Sequence, residues 1–464
     1  MLNKKLAVVG LGYVGLPLAV LAKEKGFDVI GIDINTEKVA AIQKGNVPLK
    51  DDRLAKGLRK NPILATTNMA KAKDCGAIII AVPTPVTHEN LPDLEPVISA
   101  VASLLPHLSG GQVLILESTI NPGVMDEVVL PILRKRPDLK LDADGFSEDA
   151  LIVLHCPERV NPGDSKWSVR NIPRVIGGYS AEGVRRGKEL YESILEATVT
   201  PMNTIMEAEA CKILENTFRD INIAFINEMA KSFAKLDIDI TSVIKGASTK
   251  PFAFMPHYPG NGVGGHCISV DPYYMIEKGR QAGFDHEFLK LARTINDSMP
   301  AYTVNLLEEG WKKLGENSQP AARQGKPIVA MLGLAYKKDI DDMRESPALE
   351  VLHLLEAKGY GIRVFDPYIP SSPDKGRLGG VKGGKRGSKI TSTVSSLDEA
   401  LKGASILMLA TNHTQFTQTL TPETIKEAGI KLVIDGKNCL DAEGIAAQGI
   451  PYYGIGKKRL GNKN

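Results

Sequence analysis

Cysteine is scarce and unpatterned. Five occur in 464 residues: Cys75, Cys156, Cys211, Cys267 and Cys439. The number is odd, the spacing is scattered, and no CxxC pair exists. That argues against a disulfide framework or a zinc site, and for reduced thiols in a cytoplasmic protein. An excess of one charge sign is also missing. Lys plus Arg total 57 against 54 for Asp plus Glu, a net charge of +3. Neither nucleic acid nor a membrane surface is therefore expected as a partner. No apolar run approaches the ~18 residues of a membrane span. The first apolar stretch is too short for a secretory signal and runs straight into a glycine turn. What remains is an ordinary globular composition, 43% hydrophobic and 24% charged. At ~100–200 residues per domain the length allows about two to four domains.

Short apolar runs at 6–9, 28–32, 77–82, 112–116 and 150–154 read as strands. Helix-length segments such as 16–25 and 95–105 separate them, which predicts a parallel, doubly wound α/β sheet. Beyond Pro201 the texture changes. Neither Pro nor Gly occurs from 204 to 236, and apolar residues recur three or four apart. This predicts one amphipathic helix of roughly 50 Å at 1.5 Å per residue, long enough to bridge domains or pack on a symmetry mate. A polar stretch at 315–327 reads as a linker. Strand–helix alternation then restarts: strands at 328–332, 362–365, 406–410 and 432–435, and a helix at 346–358. The expected fold is two Rossmann-like doubly wound α/β domains joined by a long central helix and a helical dimerisation region. The expected boundaries are 1–200, 201–314 and 326–464. Residues 371–388, rich in Gly, Lys and Arg, read as a solvated loop.

Gly10-Leu11-Gly12-Tyr13-Val14-Gly15 is a GxGxxG that follows a strand and opens a helix, with Asp33 at the end of the next strand. Gly10 makes the tight turn, Gly12 admits a pyrophosphate, and Gly15 lets helix and strand pack closely. The pyrophosphate sits at the helix N-terminus. Asp33 can accept ribose hydroxyls and would repel a 2′-phosphate, so NAD is expected over NADP. Val82-Pro83-Thr84-Pro85 and Glu117-Ser118-Thr119 end later strands on the same edge. Their hydroxyls either touch the nicotinamide ribose or order a water, or they serve only the turns. Gly262-Val263-Gly264-Gly265-His266-Cys267 is a glycine-rich loop ending in cysteine. Glycines can bring backbone N–H groups to a ligand, and a cysteine beside such donors can become a nucleophile. A lone cysteine is more commonly a small buried hydrophobe; the glycine run favours the nucleophile. His266, in the tight loop before Cys267, reads as structural. Lys212, Asn216 and Arg219 follow spacings of four and three and share a helix face. That face is either a solvated stripe or a place where a lysine and an amide stabilise an oxyanion near the thiolate.

GLGYVGLP, VPTP, ESTINPG, CPERVNPG, ENTFRDINIAFINE, GNGVGGHCISVDP and GLAYKKDIDDMRESPALE follow one another in this order. With them the chain resembles the UDP-glucose/GDP-mannose dehydrogenase family from Lys5 to about Leu440. GGHC around Cys267, PERVNPG around Glu158, and Lys437 in place of an arginine resemble the branch acting on UDP-N-acetylhexosamines, UDP-GlcNAc or UDP-ManNAc. The resemblance implies NAD as cofactor and a UDP-sugar as substrate, oxidised by four electrons at C6 for glycan or polysaccharide precursor synthesis. It implies Cys267 as the nucleophile that passes through a thioester, and Lys212 and Asn216 as oxyanion stabilisers. Asp271 and Thr119 would hold the catalytic water, with Glu158 near the acyl centre. Arg159, Val160, Arg219, Gly264, Lys337 and Lys437 would line the sugar nucleotide. Tyr13, Val14, Lys38, Thr84, Thr119 and Arg344 would complete the NAD site. Some relatives place an arginine between Pro251 and Pro259 that reaches a neighbouring subunit's substrate. This chain has none there, which leaves Lys250 or His257 as substitutes. Three other readings compete: a UDP-glucose or GDP-mannose dehydrogenase, a two-electron hydroxyacid or phosphogluconate-type dehydrogenase, and a nucleotide-sensing scaffold. The second α/β domain and the GGHC loop speak against the two-electron enzyme. The joint presence of Cys267, Lys212, Asn216 and Asp271 speaks against the scaffold.

Overall fold

The computed structural model describes residues 4–48, 51–87, 89–160, 166–265, 267–316, 326–369 and 393–460. His266, the loop at 371–388 and most of the stretch at 315–327 lie outside the described residues. The chain divides into two compact units: Met1–Asn216 with Tyr273–Asp285, and Thr217–Pro272 with His286–Asn464.

The first unit is built on an eight-stranded sheet. Its strands are β1 (Lys5–Val9), β2 (Asp28–Ile32), β3 (Leu64–Thr66), β4 (Ala77–Ile80), β5 (Val113–Leu116), β6 (Ile152–His155), β7 (Arg174–Gly178) and β8 (Val199–Pro201), in the order β3-β2-β1-β4-β5-β6-β7-β8. β4, β5 and β6 are buried along their whole length. That is why they read as unbroken apolar runs: a parallel sheet covered on both faces has no polar side. Alternate residues still divide between two cores. Leu6 and Val8 pack on one face, Ala7 and Val9 on the other. Strand order reverses between β1 and β4, and that reversal opens the ligand crevice at the carboxyl ends of the strands.

The second unit carries a five-stranded parallel sheet of β9 (Ile328–Leu332), β10 (Gly361–Phe365), β11 (Ile406–Leu409), β12 (Leu432–Asp435) and β13 (Tyr452–Gly454), in the order β10-β9-β11-β12-β13. Val329 and Met331 face one core, Ala330 and Leu332 the other. Both sheets open with the same turn. In the first, Gly10 (φ +94°) donates its N–H to the Ile32 carbonyl at 2.7 Å, and Leu11 N–H bonds Asp33 Oδ2 at 2.8 Å. In the second, Gly333 (φ +93°) donates to the Phe365 carbonyl at 2.9 Å, and Leu334 N–H bonds Asp366 Oδ2 at 2.6 Å.

The long helix runs from Ile205 to Lys235, 31 residues without a breaker, and the division between the units falls within it after Asn216. Strand–helix alternation thus predicted the doubly wound architecture of both sheets. Three features differ from the sequence reading. β6 and β7 pair antiparallel. β7 itself escaped notice because it begins with a charged residue and ends in two glycines. The helix Met299–Glu316 runs into the stretch read as linker.

Candidate active site

The glycine turn has the shape a dinucleotide needs. A Cβ on Gly10 would stand 2.4 Å from the Ala81 carbonyl oxygen, and one on Gly15 would stand 1.9 Å from the Gly10 carbonyl oxygen. Both are therefore glycines for packing. A Cβ on Gly12 would meet nothing within 4 Å, so the space beside it is open for a pyrophosphate at the start of the helix Gly15–Glu24. Asp33 Oδ1 accepts the Asn35 N–H at 2.9 Å, and its Oδ2 accepts the Lys38 ammonium at 2.7 Å. Asp33 and Lys38 are thus brought together, with Asp33 buried and Lys38 partly exposed. Tyr13, Val14, Thr84 and Thr119 are partly exposed. Ser118 Oγ donates to the Val82 carbonyl at 2.7 Å, tying the ends of β4 and β5 together. The residues present fit NAD.

The loop after Thr119 is held by Glu209, a fully buried carboxylate on the long helix. Its oxygens accept the N–H groups of Gly123 at 2.6 Å and Met125 at 2.9 Å. Burial pushes this carboxyl up to about 7, against the two N–H donors, and the charges of Asp126 and Glu127 add to the rise. Lys212 and Asn216 follow on the same helix and are both buried. Glu158, after β6, is also buried. Its Oε2 takes the Arg174 guanidinium at 2.5 Å, and its Oε1 accepts the N–H of Arg159 at 2.6 Å and of Val160 at 2.7 Å. The Arg159 guanidinium is already engaged by Glu215 and by the Pro173 carbonyl.

In the second unit, Cys267 precedes the helix Asp271–Gln281, and its carbonyl accepts the Asp271 N–H at 2.8 Å. Its thiol is partly exposed and Asp271 is buried. The glycines before it have a nearer cause than a ligand. A Cβ on Gly264 would lie 2.7 Å from Tyr336 Cβ and from Pro347 Cδ, and one on Gly265 (φ +83°) would lie 2.8 Å from the Tyr336 ring. The run is glycine because the segment after β9 packs directly on it. Gly265 N–H also bonds the Arg344 carbonyl at 3.2 Å. Burial raises the Tyr336 hydroxyl well above its usual range, Asp342 and Cys267 add to the rise, and Arg344 and Arg219 oppose it. Cys267, Arg219 and Arg344 are thus each within electrostatic reach of the Tyr336 hydroxyl. Arg344 is paired with Asp342 at 2.6 Å, and Arg219 and Lys337 are exposed and partly exposed. Lys437 Nζ lies 3.5 Å from where a Gly260 Cβ would stand, and burial pushes its ammonium down against Cys439 and Asp435. Lys250 stacks on Phe252 at 4.7 Å, and His257 lies edge-on to Phe218 at 6.2 Å.

The candidate residues therefore fall into two groups. Gly10, Gly12, Tyr13, Val14, Gly15, Asp33, Lys38, Thr84, Thr119, Glu158, Arg159, Val160, Lys212 and Asn216 belong to the first unit. Arg219, Gly264, Cys267, Asp271, Lys337, Arg344 and Lys437 belong to the second. Sequence reasoning missed Arg174, Glu209 and Tyr336. Arg174 had only a weak signal: it is the one charge in the short strand Arg174–Gly178.

Three family models match in order. The NAD binding domain of the UDP-glucose/GDP-mannose dehydrogenase family covers residues 4–195, its central domain 206–298, and its UDP binding domain 330–442. The chain belongs to the UDP-glucose/GDP-mannose dehydrogenase family. It is an NAD-dependent nucleotide-sugar 6-dehydrogenase. It is 34% identical over 451 residues to a UDP-N-acetyl-D-mannosamine dehydrogenase of Methanococcus maripaludis, covering 94% of this chain and 93% of that one. It is 34% identical over 429 residues to a UDP-N-acetyl-D-glucosamine 6-dehydrogenase of Pseudomonas aeruginosa, covering 92% and 95%. A solved structure of UDP-D-ManNAc dehydrogenase from Pyrococcus horikoshii superposes with a TM-score of 0.83 at 31% identity, over 98% of this chain and 99% of that one. Among the described residues no helix is long and apolar enough to cross a membrane.

Proposed function

We propose that this dehydrogenase oxidises the C6 alcohol of a UDP-N-acetylhexosamine, UDP-GlcNAc or UDP-ManNAc, to the carboxylate through a thioester on Cys267. The observation that carries the reading is a partly exposed cysteine at the end of a glycine loop packed against Tyr336, whose hydroxyl feels the charges of Cys267, Arg219 and Arg344. The names of the relatives support the substrate class. A one-step alcohol oxidation would not need that thiol.

Bound NAD supplies the hydride acceptor for each of the two oxidations. In the turn shaped by Gly10 and Gly15, Gly12 would admit its pyrophosphate and Asp33 its adenosine ribose, with Tyr13, Val14, Lys38, Thr84 and Arg344 completing the site. The first oxidation takes a hydride from C6 and a proton from its hydroxyl, leaving an aldehyde. Cys267 Sγ adds to that carbon as a thiolate. The new C–S bond pushes charge onto the carbonyl oxygen, and Lys212 and Asn216 stabilise it. Loss of a second hydride restores the carbonyl as a thioester. Water held by Thr119 and Asp271 then adds, with Glu158 taking its proton. The C–S bond breaks and Cys267 departs as thiolate. One alcohol and one water give one carboxylate, three protons and two reduced cofactors. Arg159, Val160, Arg219, Gly264, Lys337 and Lys437 hold the sugar nucleotide.

The test is NADH formation with limiting UDP-GlcNAc, UDP-ManNAc, UDP-glucose and GDP-mannose supplied separately. Two NADH per molecule of one N-acetylhexosamine is expected and identifies the C2 epimer. One NADH per sugar, or turnover only with UDP-glucose or GDP-mannose, overturns the reading.

A further inference from the structure

One buried cluster in the first unit has no part in that scheme. Arg174 opens β7 and is fully buried. A guanidinium survives such burial only when anions and hydrogen bonds replace its water. Here its two ends are divided. Nη2 donates to Glu158 Oε2 at 2.5 Å and Nη1 donates to Glu117 Oε1 at 2.9 Å. Tyr191, on the helix Ala181–Ile194, donates its hydroxyl to the same Glu117 oxygen at 2.8 Å. Its ring centroid lies 5.7 Å from the guanidinium carbon. Glu117 Oε2 is buried and has no hydrogen-bond partner among the described residues. The chain of contacts runs from Tyr191 through Glu117 and Arg174 to Glu158. It ends on the backbone of Arg159 and Val160.

We propose that Arg174, Glu117 and Tyr191 are positioning residues for thioester hydrolysis: Arg174 fixes Glu158, and the ionisation of Glu117 sets how much of the Arg174 charge Glu158 receives. The proposal rests on the reading that Glu158 serves hydrolysis. One cation faces two carboxylates, so whatever one gains in attraction the other loses. Burial pushes Glu117 up to about 7; Arg174 lowers it, Glu158 raises it and the Tyr191 hydroxyl lowers it. Cys156 also faces the cluster, and burial keeps its thiol neutral by holding it far above its usual range. When Glu117 is charged it draws on Arg174, and Glu158 is less neutralised. When Glu117 is neutral, Arg174 belongs to Glu158 alone. Because burial raises the Glu117 carboxyl above the usual carboxylate range, hydrolysis should slow as pH falls through the Glu117 titration.

The experiment compares Glu117→Gln, Tyr191→Phe and Glu158→Gln with the wild-type enzyme. Steady-state rates from pH 6 to 9 are combined with intact-mass detection of the acylated chain. Glu117→Gln fixes the neutral state. It should lower kcat about tenfold at pH 8, leave KM for both substrates within twofold, abolish the dependence on pH near 7, and accumulate acyl-enzyme. Tyr191→Phe keeps both carboxylates but removes a donor to Glu117, so its pH midpoint should move upward. A Glu117→Gln enzyme with the wild-type profile, or a Tyr191→Phe enzyme with an unmoved midpoint, overturns the proposal. Glu158→Gln separates the two readings. If it accumulates no acyl-enzyme, the role of Glu158 itself is wrong. If it accumulates acyl-enzyme while the other two match wild type, only the relay is wrong.

Discussion

Gly12→Ala separates the glycine that serves a ligand from those that serve packing. A methyl at Gly12 meets nothing within 4 Å, and Gly12 does not have the positive φ of Gly10. The backbone can therefore take alanine without strain. Replacing glycine at such a site stabilises a fold by about 0.4–1 kcal/mol through the unfolded chain. The same methyl occupies the space read as the pyrophosphate's. Hydrogen bonds to a charged group are worth about 1.5–3 kcal/mol each. Losing one should weaken NAD by about 10- to 150-fold, at ~1.4 kcal/mol per factor of ten. Gly15→Ala is the contrast, because its methyl would stand 1.9 Å from a backbone oxygen that cannot yield. That variant should melt earlier with no NAD present. Calorimetric titration with NAD and thermal melts of the NAD-free protein give both readouts. If Gly12→Ala binds NAD with wild-type affinity, or melts as early as Gly15→Ala, the assignment of the open space to the pyrophosphate is refuted.

Cys267→Ser should bind NAD and substrate yet fail to complete the second oxidation; full uronate production, measured by mass spectrometry, would sink the covalent scheme. Glu209 binds its proton more tightly folded than unfolded, so its share of stability is present at low pH and is lost as pH rises from about 4.5 to about 7. Glu209→Gln should therefore lie furthest below wild type in Tm at pH 5 and close that gap by pH 8, and two parallel Tm curves would contradict the sign. The long helix exposes Leu214 at 71% and Phe225 at 55%, with Phe218 beside them. Apolar exposure of this kind marks a protein contact, so we expect a homodimer, and a monomer mass in light scattering at micromolar concentration would refute it.

The architecture was legible because burial on both faces writes itself as apolar runs. β2, β9 and β12 and the breaker-free helix all stand where periodicity predicted them. β7 and β8 were not legible. A strand that opens on Arg174 and closes on Gly177 and Gly178 carries no apolar run, and its partner β8 ends on a proline. The candidate site was legible where spacing alone carries chemistry, as in the glycine turn with Asp33. It was illegible where a residue's partner is distant in sequence. Arg174 and Glu117 are 57 positions apart, and Glu209 and Gly123 are 86 apart. The glycines before Cys267 show a third case. Their pattern was read as bringing backbone N–H groups to a ligand, whereas Tyr336 and Pro347 pack directly against them.

The two matching turns raise the question of why one is read as a dinucleotide site and the other is not. Their backbone geometry does not decide it, since Gly10 and Gly333 have the same conformation and each is followed by an N–H bonded to an aspartate. The difference is what faces the carboxylate. Asp33 Oδ2 meets Lys38, a partly exposed ammonium on a flexible stem that can swing aside for a ribose hydroxyl. Asp366 Oδ2 meets His413 Nε2 at 3.0 Å, and that ring is fully buried, with Tyr368 at 4.9 Å and Phe416 at 5.6 Å. His413 Nδ1 is in turn bonded by the Asp339 N–H at 2.9 Å. A side chain fixed at both ends of its ring cannot yield to a ligand without leaving buried polar atoms unmatched. The second turn is therefore closed to a ribose, and calorimetry should count one NAD per chain. Two NAD per wild-type chain would show that the histidine does not close the turn.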